Sequence, residues 1–315
     1  MKKIDEIIGN AKTIGIAGHV RPDGDCVGSC MALYNYLKKN RDDLAVKVYL
    51  EYVDDKFRII ENADKIDTNG YDGTVYDLFI SLDTASLDRL GFNVEFFKNA
   101  KRTACIDHHA SNAGYADYNY IVAKASSASE VLFSVLDEEK FDKSVANPMY
   151  MGIAHDSGVF RFQTTTAETM RIAAKMIELG VLPNEILEET FYRKTYDQMM
   201  VTAKIQRETI LCMDGKCIYG FCTSETMKRY NVTVNDLDAV VASIRNVEGV
   251  EVAMFLYQLE ENKYKISLRS KKYVDVSKIA VSFGGGGHVR AAGFEVEGAL
   301  EDVIEKVLTK IKSVI

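Results

Sequence analysis

The sequence has no CxxC pair, no apolar run of about 18 residues, no surplus of basic charge and no GxGxxG or Walker loop. Each absence removes a class of protein. Without paired cysteines, Cys26, Cys30, Cys105, Cys212, Cys217 and Cys222 do not make a zinc ribbon, and they read as buried free thiols of a reducing compartment. Without a long apolar run there is no transmembrane helix. The first residues, MKKIDEIIGNAKTIG, are charged and amphipathic and lack the apolar core of a signal peptide, so the expected location is the cytoplasm, away from any membrane. From residue 201 onward there are 16 basic and 15 acidic residues, against 23 and 31 in the first 200. A general binder of long duplex DNA carries a strong basic excess. Any nucleic-acid substrate here is therefore expected to be short and gripped locally, by the second half of the chain.

What is present suits a well-buried globular protein of about two domains: 315 residues, 47% of them hydrophobic. TIGIAG (13–18), VKVYL (46–50), DLFISLD (77–83) and TACID (103–107) read as buried strands, with helical spacing between them in Val27, Cys30, Met31, Tyr34 and Leu37. SSASEVLFSVL (126–136) opens with a serine cap and a glutamate three residues on, and TAETMRIAAKMIELG (166–180) is an amphipathic helix. Strands alternating with helices predict an α/β fold with a mostly parallel sheet. After Pro183 the pattern changes. Residues 183–209 read as a long polar connecting helix. Residues 210–315 read as a smaller α/β domain with strands at 216–223, 250–259 and 263–270 and helices at 234–247 and 300–315. The expected organisation is a domain at 1–182, the helical linker, and the smaller domain, with a cleft between the two domains.

The chain has only five histidines, and four of them fall in acidic clusters: HVRPDGD (19–25), CIDHH (105–109) and GIAHDSG (152–158). Asp83 ends FISLD. All four positions read as strand ends, and in an open parallel sheet the carboxyl ends of strands face one crevice where ligands bind. Each cluster taken singly has an ordinary reading: RPDGD makes a good turn, and an aspartate after a strand is a common helix N-cap. Together they repeat the same residue types at the same place in four units. Mixed Asp and His donors suit Mn²⁺, Mg²⁺ or Fe²⁺ better than structural zinc, and there are more of them than one ion needs. A carboxylate-bridged metal pair acidifies a water between the ions and clamps phosphoryl oxygens, so the natural chemistry is phosphate-ester hydrolysis.

The second signal is SFGGGGHVRAAGF (282–294). Four glycines free the backbone to approach a ligand and to present N–H groups to an anion. A flexible hinge is the plainer alternative, which the adjacent His288 and Arg290 argue against. Arg269, in SLRSKK (267–272), is the basic residue singled out there for a phosphate.

HVRPDGDCVGS, SLDTAS, CIDHHAS, GIAHDSGVFRF, SLRSK and FGGGGHVRAAGF, in this order, resemble the DHH phosphoesterases with a DHHA1 C-terminal domain, and the match covers nearly the whole chain. The length resembles the stand-alone subgroup. Its members degrade very short oligoribonucleotides and dephosphorylate 3′-phosphoadenosine 5′-phosphate, and some hydrolyse linear or cyclic signalling dinucleotides. The resemblance implies two divalent metals, Mn²⁺ first. One is taken by His19, Asp23 and Asp83, the other by Asp25, Asp83, His108 and Asp156, with Asp83 shared. It implies that His109 polarises the scissile phosphate with Asp107 as its partner. It also implies that Gly284, Gly285, Gly286, Gly287, His288 and Arg269 hold the far end of a short RNA or nucleotide. His155 departs from the family's threonine-like residue and is expected to make a polar contact without being a ligand. Inorganic pyrophosphatases resemble the first domain only. The sequence leaves open whether the protein forms a homodimer.

Overall fold

The computed structural model describes residues 3–315, without the side chains of Asp238, Ala239 and His288. The chain divides into two compact units, Met1–Arg193 and Lys194–Ile315, each with a six-stranded sheet of its own.

The first unit runs α1 (Ile4–Ile8), β1 (Thr13–Ala17), α2 (Gly24–Asn40), β2 (Ala45–Tyr49), β3 (Ile66–Asp67), β4 (Leu78–Leu82), α3 (Val94–Asn99), β5 (Thr103–Asp107), β6 (Tyr118–Ile121), α4 (Ala128–Val135), α5 (Lys143–Asp156), α6 (Ala167–Glu178) and α7 (Pro183–Leu187). The sheet is parallel throughout, in the order β3-β2-β1-β4-β5-β6. Helices cover both faces of such a sheet, which is why its strands are continuous apolar runs with little alternation. Ile14 of β1 pairs with Val46 on one side and Leu78 on the other. The chain winds one way from β1 through β2 and β3, then the other way through β4, β5 and β6. The carboxyl ends of β1 and β4 therefore flank the point where the winding reverses, the place where an open α/β sheet offers a crevice.

Local chemistry fixes the helix starts. Asp23 caps α2, its carboxylate accepting from the backbone N–H of Asp25 and Cys26. Ser127 caps α4 by accepting from Glu130 N at 3.0 Å. Two stretches differ from their sequence reading. GIAHDSG does not follow a strand: it closes α5, so Asp156 arrives at the crevice on a helix C-terminus. The preceding VANPMYMGIA is almost wholly buried, and a helix apolar all round hides its 3.6-residue period. The polar stretch 183–209 is also not one helix. It comprises α7, a π-helical turn at Glu188–Tyr192, a break, and a new helix that Thr195 and Gln198 start with a capping box.

The second unit contains α8 (Tyr196–Arg207), β7 (Ile210–Cys212), β8 (Cys217–Cys222), α9 (Ser224–Arg229), α10 (Asp238–Arg245), β9 (Val252–Glu260), β10 (Lys263–Ser270), α11 (Val276–Val281), β11 (Gly286–His288), β12 (Ala291–Glu297) and α12 (Leu300–Lys312). Its sheet runs β11-β12-β10-β9-β8-β7. Only β8 and β9 are parallel, and Leu256, Ile266 and Phe294 lie in its core. All six cysteines are free thiols, five of them buried. Among the described residues no helix is long and apolar enough to cross a membrane.

Candidate active site

The turn after β1 brings three acids and bases to the crevice by separate means. His19 is buried, and its Nδ1 lies 2.8 Å from Val20 O. A carbonyl only accepts, so Nδ1 carries a proton and the ring turns Nε2 toward the carboxylates, 3.3 Å from Asp83 Oδ2 and 3.7 Å from Asp23 Oδ1. Asp25, the second residue of α2, is fully buried. Its Oδ2 accepts from Ala128 N at 2.6 Å, and its Oδ1 accepts from Ser129 N at 3.0 Å and Ser129 Oγ at 2.6 Å. A carboxylate has about four acceptor positions, so one remains, on Oδ2. The N-terminus of α4 thus holds Asp25 rigidly while leaving it able to take one more partner.

Asp83 follows β4 with a left-handed backbone (φ 52°), a conformation that aspartate tolerates better than most residues. Left-handed residues recur beside the site, at Arg21 and in the run Gly158, Val159 and Phe160 directly after Asp156. Strain of this kind gathers where the chain must aim functional groups. Asp83 is 2% exposed, and its Oδ1 is buried with no hydrogen-bond partner. That oxygen lies 3.5 Å from His108 Nε2. His108 presents Nδ1 to Ala125 O at 3.4 Å, the same arrangement as His19, and its Nε2 lies 2.9 Å from Asp156 Oδ2.

Three groups of potential ligand atoms result, each within 4.8 Å: His19–Asp23–Asp83, Asp83–His108–His109 and Asp25–His108–Asp156. Asp83 joins the first two and His108 the last two. The electrostatics call for positive charge. Burial, then the neighbouring Asp83 and Asp156, pushes Asp25 well above the ordinary carboxylate range, and burial with Asp83 among its neighbours raises Asp156. Against the burial that opposes it, Asp156 and then Asp83 push the His108 imidazole up to about 12. A cluster that recruits a proton so strongly fits a divalent cation. So do the orphaned oxygen of Asp83 and two histidines turned by backbone carbonyls to present Nε2.

His109 is built differently. Its Nδ1 lies 2.8 Å from the buried Asp107 Oδ1. Against burial, Asp107 raises His109, and against burial, His109 holds Asp107 below its usual range. Asp107 Oδ2 accepts from Asn112 Nδ2 at 2.7 Å, which also donates to Thr84 O at 3.1 Å. His19, Asp23, Asp83, His109 and Asp156 line a pocket of about 130 Å³ together with Ala85 and Arg89.

His155 lies apart from the ligand groups. Burial, ahead of all other influences, lowers it to about 4. Its Nε2 donates to Thr190 Oγ1 at 3.0 Å, because that hydroxyl already donates to Ile186 O. Phe57 and Phe191 meet its ring edge-on. A Cβ on Gly24 would fall 2.1 Å from this ring. Gly24→Ala is therefore expected to displace the turn that carries Asp23 and Asp25. It should cost about 1–3 kcal/mol in thermal unfolding and lower turnover with it. Unchanged stability and turnover would mean that this contact does not set the turn.

In the second unit, the register pairs Arg269 with Ala291 and Ala291 with residue 288, so Arg269 and the end of the glycine strand lie at one level two strands apart, about 10 Å. The side chain of His288 lies outside the described residues. The four glycines are not equivalent. A Cβ on Gly285 would fall 2.3 Å from Gly293 O, and one on Gly287 (φ 140°) 2.5 Å from Ala291 O. Gly284 has φ 78° in open space, and Gly286 has nothing within 4 Å. Arg290 is tied into the fold: it donates to Val274 O at 2.8 Å and to Lys272 O. Glu251 accepts from the N–H groups of Lys272, Tyr273 and Val274, which holds the same loop from the other side.

The N-terminal domain of the DHH family matches residues 13–153, and the DHHA1 domain matches residues 214–315. The chain is 31% identical over 309 residues to the bifunctional oligoribonuclease and PAP phosphatase NrnA of Thermus thermophilus, covering 95% of this chain and 89% of that protein. The chain belongs to the DHH–DHHA1 phosphoesterase family. The protein of the same name in Bacillus subtilis is 25% identical over 289 residues, covering 90% and 89% of the two chains. Among solved structures, an exopolyphosphatase-related protein of Bacteroides fragilis shares the fold with a TM-score of 0.88 at 23% identity, over 98% of this chain and 95% of that one. DHH phosphoesterases use divalent metals, in keeping with the donor set here. Two residues of the site were not singled out from the sequence. Asn112 stands three positions past the DHH tripeptide, and Arg89 six past Asp83, each a single polar residue whose place only the folded chain reveals.

Proposed function

We propose that the chain is a Mn²⁺-dependent phosphoesterase that converts very short oligoribonucleotides and 3′-phosphoadenosine 5′-phosphate to mononucleotides. The observation that carries this reading is Asp83: a buried carboxylate with one unpartnered oxygen, set between His19 Nε2 and His108 Nε2. His19, Asp23 and Asp83 would hold one cation, and Asp25, Asp83, His108 and Asp156 the other. Two such ions supply an acidified water and neutralise charge on the phosphoryl oxygens. Asp107, fixed by Asn112, orients His109 so that its imidazolium meets the scissile phosphate and stabilises the charge that grows there. The α4 N-terminus keeps Asp25 in place through the reaction. Arg269 and the glycine strand of the second unit would bind the far end of the substrate.

The test is a panel assayed with Mn²⁺: a dinucleotide, the same RNA at ~24 nucleotides, 3′-phosphoadenosine 5′-phosphate, cyclic di-AMP and pyrophosphate. The expected result is turnover of the dinucleotide and the bisphosphate, at rates at least about tenfold above the other three, lost on chelation and restored by Mn²⁺. Preference for pyrophosphate, for the cyclic dinucleotide or for the long RNA would overturn the substrate assignment.

A further inference from the structure

Arg89 lies in a 3₁₀ segment, Leu87–Asn93, between β4 and α3, and its backbone and side chain do separate things. Its carbonyl accepts from Val20 N at 2.7 Å, which ties this segment to the turn after β1. Substitution of the side chain leaves that bond in place. Arg89 lines the same pocket as Asp23, Asp83, His109 and Asp156, is an exposed residue, and has Nη2 3.5 Å from His19 Nδ1. That nitrogen already gives its proton to Val20 O, so the arginine gains no acceptor from it. Three carboxylates line the pocket, yet Arg89 forms no ion pair among the described residues. A guanidinium at an acidic pocket that pairs with none of its carboxylates has its donors available for an anion that enters.

Resting on the two-metal reading above, we propose that Arg89 adapts this pocket to phosphomonoesters. A diester phosphate has two non-bridging oxygens and one negative charge, and a terminal monoester has three and close to two. The extra oxygen and charge need a further donor, and a planar guanidinium supplies two parallel N–H groups to a phosphate. In monoester hydrolysis the oxygen of water bonds to phosphorus as the P–O3′ bond breaks. One water proton ends on the departing 3′-oxygen, and inorganic phosphate leaves. Arg89 would touch the oxygen that this substrate has and a diester lacks.

The test compares kcat/KM of wild type, Arg89→Ala and Arg89→Lys on 3′-phosphoadenosine 5′-phosphate and on a 5′-phosphorylated diadenylate, both with saturating Mn²⁺. Arg89→Ala is expected to lose about 100-fold on the monoester and under about tenfold on the diester, with Arg89→Lys recovering part of the monoester loss. Calorimetric Mn²⁺ binding should match wild type. A merely structural arginine would lower both activities together. Equal losses, no loss, or a larger loss on the diester would overturn the proposal. Inorganic phosphate, a probe of the same charge, separates the two ideas. If wild type turned over neither substrate, the functional reading would fall. Arg89 would still be judged by whether Arg89→Ala weakens phosphate binding to the Mn²⁺-loaded protein about tenfold.

Discussion

Asp83→Asn is expected to cost about 10³-fold or more in turnover and, at the same time, to blunt the stabilisation of the protein by Mn²⁺. The two effects come from one cause. Asp83 is a buried carboxylate whose Oδ1 has no hydrogen-bond partner, and its charge helps push Asp25 and Asp156 above their ordinary range. Asparagine also tolerates the left-handed backbone at this position (φ 52°), so the change is one of charge and not of shape. The same change removes the carboxylate charge that both cations would share, a loss of several kcal/mol of charge stabilisation in the transition state. Mn²⁺ should raise the melting temperature of wild type, because an ion that binds only the native state stabilises it, and should raise that of the variant much less. Near-normal turnover, or an undiminished Mn²⁺ shift, would contradict the shared role of Asp83.

The glycine series is expected to split in two. Gly287→Ala and Gly285→Ala should each destabilise the second unit by about 3 kcal/mol, seen as a lowered unfolding transition. Their Cβ atoms would meet backbone oxygens of β12 at 2.5 and 2.3 Å, and Gly287 also has φ 140°. Gly286→Ala should unfold like wild type, because nothing lies within 4 Å of its Cβ, yet should raise KM about tenfold with kcat little changed. On the proposed function, Gly286 leaves room for the approach of a ligand. Wild-type KM in Gly286→Ala would assign the whole run to chain geometry.

Much of this was legible in the residues. Buried parallel strands are short apolar runs, so β1, β2, β4 and β5 could be read directly, and the histidines pointed to the crevice. β3 was too short to carry a pattern, at two residues. Asp156 was located in sequence but placed on the wrong kind of element, because α5 is apolar on nearly every side. Asn112 belongs to a loop and Arg89 to a short, kinked 3₁₀ segment, where no periodicity marks a residue and only the tertiary fold brings it to the site. Arg290 and Glu251 show the converse: charged residues near a basic stretch that the structure uses to hold a loop.

The most direct test is anomalous diffraction at the manganese edge from crystals grown with Mn²⁺. Two peaks about 4 Å apart are expected, one beside His19 and Asp23, the other beside Asp25, His108 and Asp156, with Asp83 touching both. A single peak, or two that do not share Asp83, would contradict the account.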